Sequence, residues 1–226
     1  MKTVKFSTLI LFAMLFNTLS YAQDWANLKR FQQENSELIP KANEHRVVFM
    51  GNSITEGWLS IRPDFFVNKP YVNRGISGQT TPQMLLRFRQ DVINLKPSIV
   101  VILAGINDIA QNTGPSTIEM IANNIISMVE LAKANQINVI ICSVLPAFDF
   151  PWREGLKPAE KVIKLNALLK AYSNKNKLEY VDYYSAMVND SNGLKKELGE
   201  DGIHPNKDGY LIMEPILEKA IKKYMN

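Results

Sequence analysis

Two stretches of this chain, Ile99-Val100-Val101-Ile102-Leu103-Ala104 and Val139-Ile140-Ile141-Cys142-Ser143-Val144-Leu145, run on without the apolar/polar alternation of a half-exposed strand. A strand with one face in water alternates; one that does not alternate is buried on both faces, in a sheet covered by helices above and below. Shorter apolar runs at 47–50, 71–73 and 180–183 supply the remaining strand candidates. Between them the pattern predicts helices over 82–94, 116–135, 158–173 and 207–224, with a leading helix over 24–38 packed on the outside. Pro82 and Pro158 suit the first turn of a helix, where the missing N–H costs nothing. Strand and helix thus alternate as in a doubly wound α/β fold, in which chemistry collects at the loops beyond the carboxyl ends of the strands.

The first 22 residues stand apart. Lys2 and Lys5 precede an apolar run from Leu9 to Phe16, and Ser20-Tyr21-Ala22 supplies small residues at a cleavage position. That is the pattern of a secretory signal, and the run is too short to cross a bilayer of roughly 30 Å as a helix. The expectation is an exported protein, periplasmic or secreted and without a stable membrane anchor, whose mature chain is a single domain over 23–226. The formal charge of +4 loses two lysines and no acids with the signal, becoming +2. Such near-balance gives no footprint for nucleic acid. Cys142 is the only cysteine, so no internal disulfide forms, and its apolar surroundings predict a buried thiol.

Four loops carry side chains suited to chemistry. After the first strand, Gly51-Asn52-Ser53 places a serine at a sharp turn, where it either caps a helix or presents its hydroxyl. Thr55 stands where the second glycine of a G-x-S-x-G elbow would be, so that motif is absent. After the second strand, Asn73-Arg74-Gly75-Ile76-Ser77-Gly78-Gln79-Thr80-Thr81 holds two glycines; after the third, Gly105-Ile106-Asn107-Asp108 offers an amide that can donate or form an Asx turn. Before the last helix comes Asp201-Gly202-Ile203-His204-Pro205-Asn206. A carboxylate three residues ahead of a histidine can accept the proton on one ring nitrogen and leave the other free to take a proton elsewhere. The second histidine, His45, precedes the first strand and is expected at the surface, away from these loops.

Gly51-Asn52-Ser53, Gly75, Gly105-Ile106-Asn107-Asp108 and Asp201-Gly202-Ile203-His204-Pro205, in that order, resemble the four blocks of the SGNH hydrolases, also called the GDSL esterases and lipases. The 75–81 stretch is most similar to the platelet-activating-factor acetylhydrolase-like and carbohydrate-deacetylating branches. The resemblance implies a flavodoxin-like three-layer α/β/α sandwich with a parallel five-stranded sheet in the order 2-1-3-4-5. It implies Ser53 as nucleophile, His204 as base and Asp201 as the acid that orients it. The oxyanion hole would comprise the N–H groups of Ser53 and Gly75 and the Asn107 amide, with no metal or cofactor. Asn52 departs from the family, which usually carries Asp there.

The aromatic loop after the fourth strand suggests a substrate wall of Phe148 and Trp152, joined by Trp58. Asp108 is expected to tie neighbouring loops together, and Asp182 is a rival to Asp201. The function that follows is hydrolysis of short acyl esters, acetyl foremost, of carbohydrates or small molecules. Two other readings remain open: a lysophospholipid or other lipid ester as substrate for the same residues, and a non-catalytic module that holds a phosphate at its helix starts. A metal at Asp201 and His204 lacks further ligands.

Overall fold

The computed structural model describes residues 24–38 and 44–225. The signal expected over 1–22 lies outside the described residues. After a short helix α1 (Gln32–Glu37), the chain runs β1 (Val47–Gly51), α2 (Ser53–Ile61), β2 (Tyr71–Gly75), α3 (Thr81–Asp91), β3 (Ile99–Leu103), α4 (Ile106–Ile109), α5 (Ile118–Ala134), β4 (Asn138–Cys142), α6 (Pro158–Lys175), β5 (Glu179–Val181), α7 (Tyr183–Met187) and α8 (Lys207–Lys222). The five strands form one sheet in the order β2-β1-β3-β4-β5, every pair parallel. The expected architecture and strand order are those observed.

Every residue of β1 and β3 is buried, as their unbroken apolar character requires. On one face α2 meets α8 through the stacked rings of Trp58 and Tyr210, 5.2 Å apart, and through the Tyr210 hydroxyl, which donates to the Ile54 carbonyl at 2.7 Å. Helices α3, α5 and α6 pack one against the next on the other. Local chemistry sets the boundaries. The Thr80 and Gln83 side chains form a reciprocal capping box at the start of α3, Pro82 occupies its first turn, and Asn206 Oδ1 accepts the Gly209 N–H to open α8.

Among the boundaries that differ from the sequence expectation, three shape the site and its surroundings. The leading segment is helical only over Gln32–Glu37: Asp24 takes the N–H groups of Leu28 and Lys29 onto its carboxylate, and Asn27 sits at φ 56°, outside helical backbone. Strand β4 stops at Cys142, because the Asn166 side chain of α6 takes over both the N–H and the carbonyl of Val144, at 2.8 and 2.9 Å. Strand β2 continues to Gly75, where it pairs with Gly51 in register.

Candidate functional site

In β1, Gly51 pairs with Gly75 of β2 on one side and Leu103 of β3 on the other, so three strands end side by side. The loops that leave them are therefore neighbours. Asn52 caps α2 by accepting the Ile54 N–H at 3.1 Å, which makes Ser53 the first residue of the helix. Its N–H belongs to the first-turn donors that a helix leaves without an intrahelical partner. The Asn52 Nδ2, fully buried, has no hydrogen-bond partner among the described residues.

The Ser53 hydroxyl lies 2.9 Å from His204 Nε2, across 151 residues of sequence. His204 Nδ1 lies 2.6 Å from Asp201 Oδ2. With the ring proton on Nδ1, where the carboxylate accepts it, Nε2 carries the lone pair that faces the serine. Asp201 Oδ1 accepts the N–H groups of Ile203 and His204 at 2.9 and 2.7 Å, so the carboxylate is held at both oxygens. Partial burial raises the Asp201 pKa, but hydrogen bonds from the His204 ring and from these N–H groups outweigh it, and the net shift is downward. A side chain on Gly199 would overlap the His204 carbonyl oxygen, so the backbone that carries the imidazole rests directly on a glycine.

Asn107 is buried in α4, at the end of β3. Its Nδ2 donates to the Gln79 carbonyl at 3.0 Å, which leaves its second N–H free for another acceptor. Gly75 does not sit as expected. It is the last residue of β2 and not part of the loop, its N–H is donated to Asn73 Oδ1 at 2.9 Å, and a side chain there would overlap the Glu56 backbone. Its commitment is to packing β2 against α2. Gly78, three residues on, has φ 76° and open space around its Cα, and its N–H meets no acceptor among the described residues.

Asp108 ties the loops, as its position suggested. It accepts the Thr81 N–H at both oxygens and the Thr81 hydroxyl at 2.6 Å. Asp182 is not beside the histidine; it caps α7 by accepting the Ser185 N–H at 3.0 Å and pairs with Lys170. His45 is exposed ahead of β1, and Cys142 is buried, its thiol pushed up to about 12 by desolvation.

Of the three wall residues, Trp58 is a correction. It is only 2% exposed, stacked on Phe65 at 5.0 Å and on Tyr210, inside an aromatic cluster with Phe49 and Phe66. Its place on α2, one turn after the buried Ile54, turns it inward. Trp152 and Phe148 are exposed, 49% and 64%. The Trp152 ring packs on the buried Phe150 at 5.3 Å and lies 6.2 Å from the His204 ring. This loop has fixed supports: Asp149 accepts the Gly155 N–H, and Arg153 donates to the carbonyls of Ala110 and Gln111 at 2.7 and 2.9 Å. Two clefts flank the Asp201–His204 pair. One of about 310 Å³ is lined by Phe148, Phe150, Glu154, Leu194 and Asp201, and one of about 350 Å³ by Ile61, Glu200, Asp201, His204 and Pro205. Among the described residues no three His, Cys, Asp or Glu side chains cluster as a metal ion would require.

The model of the GDSL-like lipase/acylhydrolase family matches residues 49–212. The chain belongs to that family. A GDSL-like lipase structure from Bacteroides thetaiotaomicron is 53% identical over 88% of this chain and 98% of that one, with a TM-score of 0.86. A structure from Bacteroides fragilis is also 53% identical, over 90% of this chain and all of that one, with a TM-score of 0.88. Among curated proteins, an acetylxylan esterase of Xylanibacter ruminicola is 26% identical over 220 residues, covering 81% of this chain but only 44% of the relative's own length. The matched span in this GDSL-family chain runs from β1 into α8 and includes all four loops described above.

Proposed function

We propose that this protein is an exported serine esterase that removes a short acyl group, acetyl foremost, from a carbohydrate or small-molecule ester. The observation that carries the reading is the continuous contact Ser53 Oγ to His204 Nε2 to Asp201, at 2.9 and 2.6 Å. A serine hydroxyl is a poor nucleophile at neutral pH. His204 takes its proton as Oγ attacks the ester carbonyl, and Asp201 steadies the imidazolium that forms. The carbonyl oxygen becomes an anion, met by the Ser53 N–H and the second N–H of Asn107. Gly78, exposed and with its N–H unclaimed among the described residues, replaces Gly75 as the third donor in this reading. Collapse of the intermediate expels the alcohol, which takes the proton from His204. Water, deprotonated by the same ring, then attacks the acyl-Ser53 ester and releases the acid.

Acetyl is favoured because among the described residues no long insertion stands over the site to hold an acyl chain. Exposed Phe148 and Trp152 suit the apolar face of a sugar ring, and the acetylxylan esterase relative supports a carbohydrate as the alcohol half. Export rests on Lys2, Lys5 and the apolar run up to Ala22. The same exposed aromatics, with Ile61 in the adjoining cleft, also favour a second reading in which the ester is a lysophospholipid.

Fluorophosphonate labelling followed by mass spectrometry tests the class: the wild type should carry the label on Ser53 and Ser53→Ala none. A p-nitrophenyl ester series then tests the substrate, with C2 expected to exceed C8. Preference for C8 or longer, or turnover of micellar lysophospholipid above that of acetylated xylo-oligosaccharides, would move the assignment to the lipid reading.

A further inference from the structure

Gln79 makes contacts that the proposed chemistry does not itself use. Its side chain is buried, although it lies in a loop at the rim of the site. Its Oε1 accepts from Arg87 Nε at 2.6 Å, its Nε2 donates to the Ala26 carbonyl at 2.8 Å, and its own carbonyl accepts from Asn107 Nδ2 at 3.0 Å. One residue therefore joins a buried guanidinium, the N-terminal segment and the amide assigned to the oxyanion.

Each of these partners is itself held. Arg87 is fully buried, pairs with Asp91 at 3.1 Å and donates to the carbonyls of Gly51, the last residue of β1, and Arg74, the next-to-last of β2. The N-terminal segment is strapped down along its length. Gln83 donates to the Trp25 carbonyl and Gln90 to that of Leu28, while Asn35 reaches Asp91 and Glu34 reaches Arg74. The loop is stitched from its other side by Asn112, which donates to the Gly78 carbonyl at 3.1 Å, and by Thr80 against Thr113. Gly78 lies directly before Gln79 at φ 76° in otherwise open space, so its own side of the loop offers no packing to fix where its N–H points.

The geometry points to Gln79 as a positioning residue for the oxyanion donors, with Arg87 beneath it and the Ala26 carbonyl as its outer anchor. The inference rests on the esterase reading above. A donor displaced by about 1 Å costs up to about a hundredfold in rate, because the anion it serves exists only in the transition state. Losing the junction should therefore lower kcat and leave KM nearly unchanged.

The test compares Gln79→Met, which keeps the shape and removes both polar ends, with Gln79→Glu, which keeps the acceptor for Arg87 and removes the donor to Ala26. Gln90→Ala is the control, since it releases the Leu28 carbonyl and leaves the Gln79 bonds to Arg87 and Ala26 in place. Kinetics with p-nitrophenyl acetate are read at least 15 °C, as a rough margin, below each Tm. Gln79→Met should lose about tenfold to a hundredfold in kcat with KM within about threefold, Gln79→Glu should fall between it and the wild type, and Gln90→Ala should lower Tm alone. If Gln79→Met folds with a lowered Tm and an unchanged kcat, or loses efficiency through KM alone, Gln79 is structural and the inference is overturned. Should Gln79→Met fail to fold, a wild-type kcat in Gln79→Glu overturns it equally. A wild type that neither labels at Ser53 nor turns over overturns the esterase reading and this inference together; with a labelled, active wild type, the variant kinetics bear on Gln79 alone.

Discussion

Thr81 gives Asp108 both of its hydrogens: the backbone N–H lies 3.0 Å from each carboxylate oxygen and the hydroxyl 2.6 Å from Oδ1. Desolvation nevertheless prevails over these bonds and pushes the Asp108 carboxyl up to about 6 from 3.8. Between those values the folded chain keeps a proton that the unfolded chain has released. The contribution to stability is thus fully present below about pH 4 and lost as pH rises through about 6. In melts from pH 4 to 7, the Tm of the wild type relative to Asp108→Asn should be highest at the acid end and decline across this window. A difference that stays constant with pH would contradict the assignment.

Asp201 titrates with the opposite sign. Its pKa is lowered, so the stability it contributes is present above its unfolded value of 3.8 and is lost as pH falls through the folded value. Near neutral pH its effect should be on rate: Asp201→Asn is expected to lose about 10²- to 10⁴-fold in kcat because the ring loses its tautomer and orientation. Steady-state kinetics at pH 7 with p-nitrophenyl acetate would show it, and a loss under threefold would remove Asp201 from the relay.

With the Asn107 amide in its proposed place at the oxyanion, Asn107→Ala should lower kcat by about 10² to 10³ with little change in KM. It also frees the Gln79 carbonyl, so a modest fall in Tm should accompany it. A change confined to KM would place Asn107 in ground-state binding instead.

Two tryptophans should respond in opposite ways. Trp58→Ala opens the aromatic cluster between α2 and α8 and should cost about 3 to 5 kcal/mol in urea unfolding. Trp152→Ala lies at the surface beside His204 and should change stability by about 0.5 kcal/mol or less, while raising KM for acetylated xylo-oligosaccharides several-fold. Unaltered kinetics in Trp152→Ala would end its role as a wall.

The sequence made the sheet legible because β1, β3 and most of β4 are apolar throughout, a pattern that survives without knowledge of any partner. Ser53, Asp201 and His204 were singled out only by the order of the four blocks and the resemblance they carry, because each alone also fits a helix cap or a solvated loop; the structure places the three within hydrogen-bonding reach. Trp58 and Gly75 were misplaced for one shared reason, an element boundary. Helix α2 was not among the expected helices, so Trp58 read as a loop residue, although Ile54 and Trp58 at a four-residue interval mark an inward face. The brace on Gln79 was hidden more deeply, because its acceptor is the main-chain carbonyl of Ala26, and a carbonyl looks alike in every residue.

Gly199 carries no group that could take part in a reaction, yet the backbone of His204 is seated against its bare Cα. A methyl added there would overlap the His204 carbonyl oxygen and force the backbone that carries the imidazole to shift, while every reactive atom stayed in the chain. Anyone reshaping the nearby cleft for a bulkier ester should treat this glycine as untouchable, since a variant that looked chemically complete would be silent.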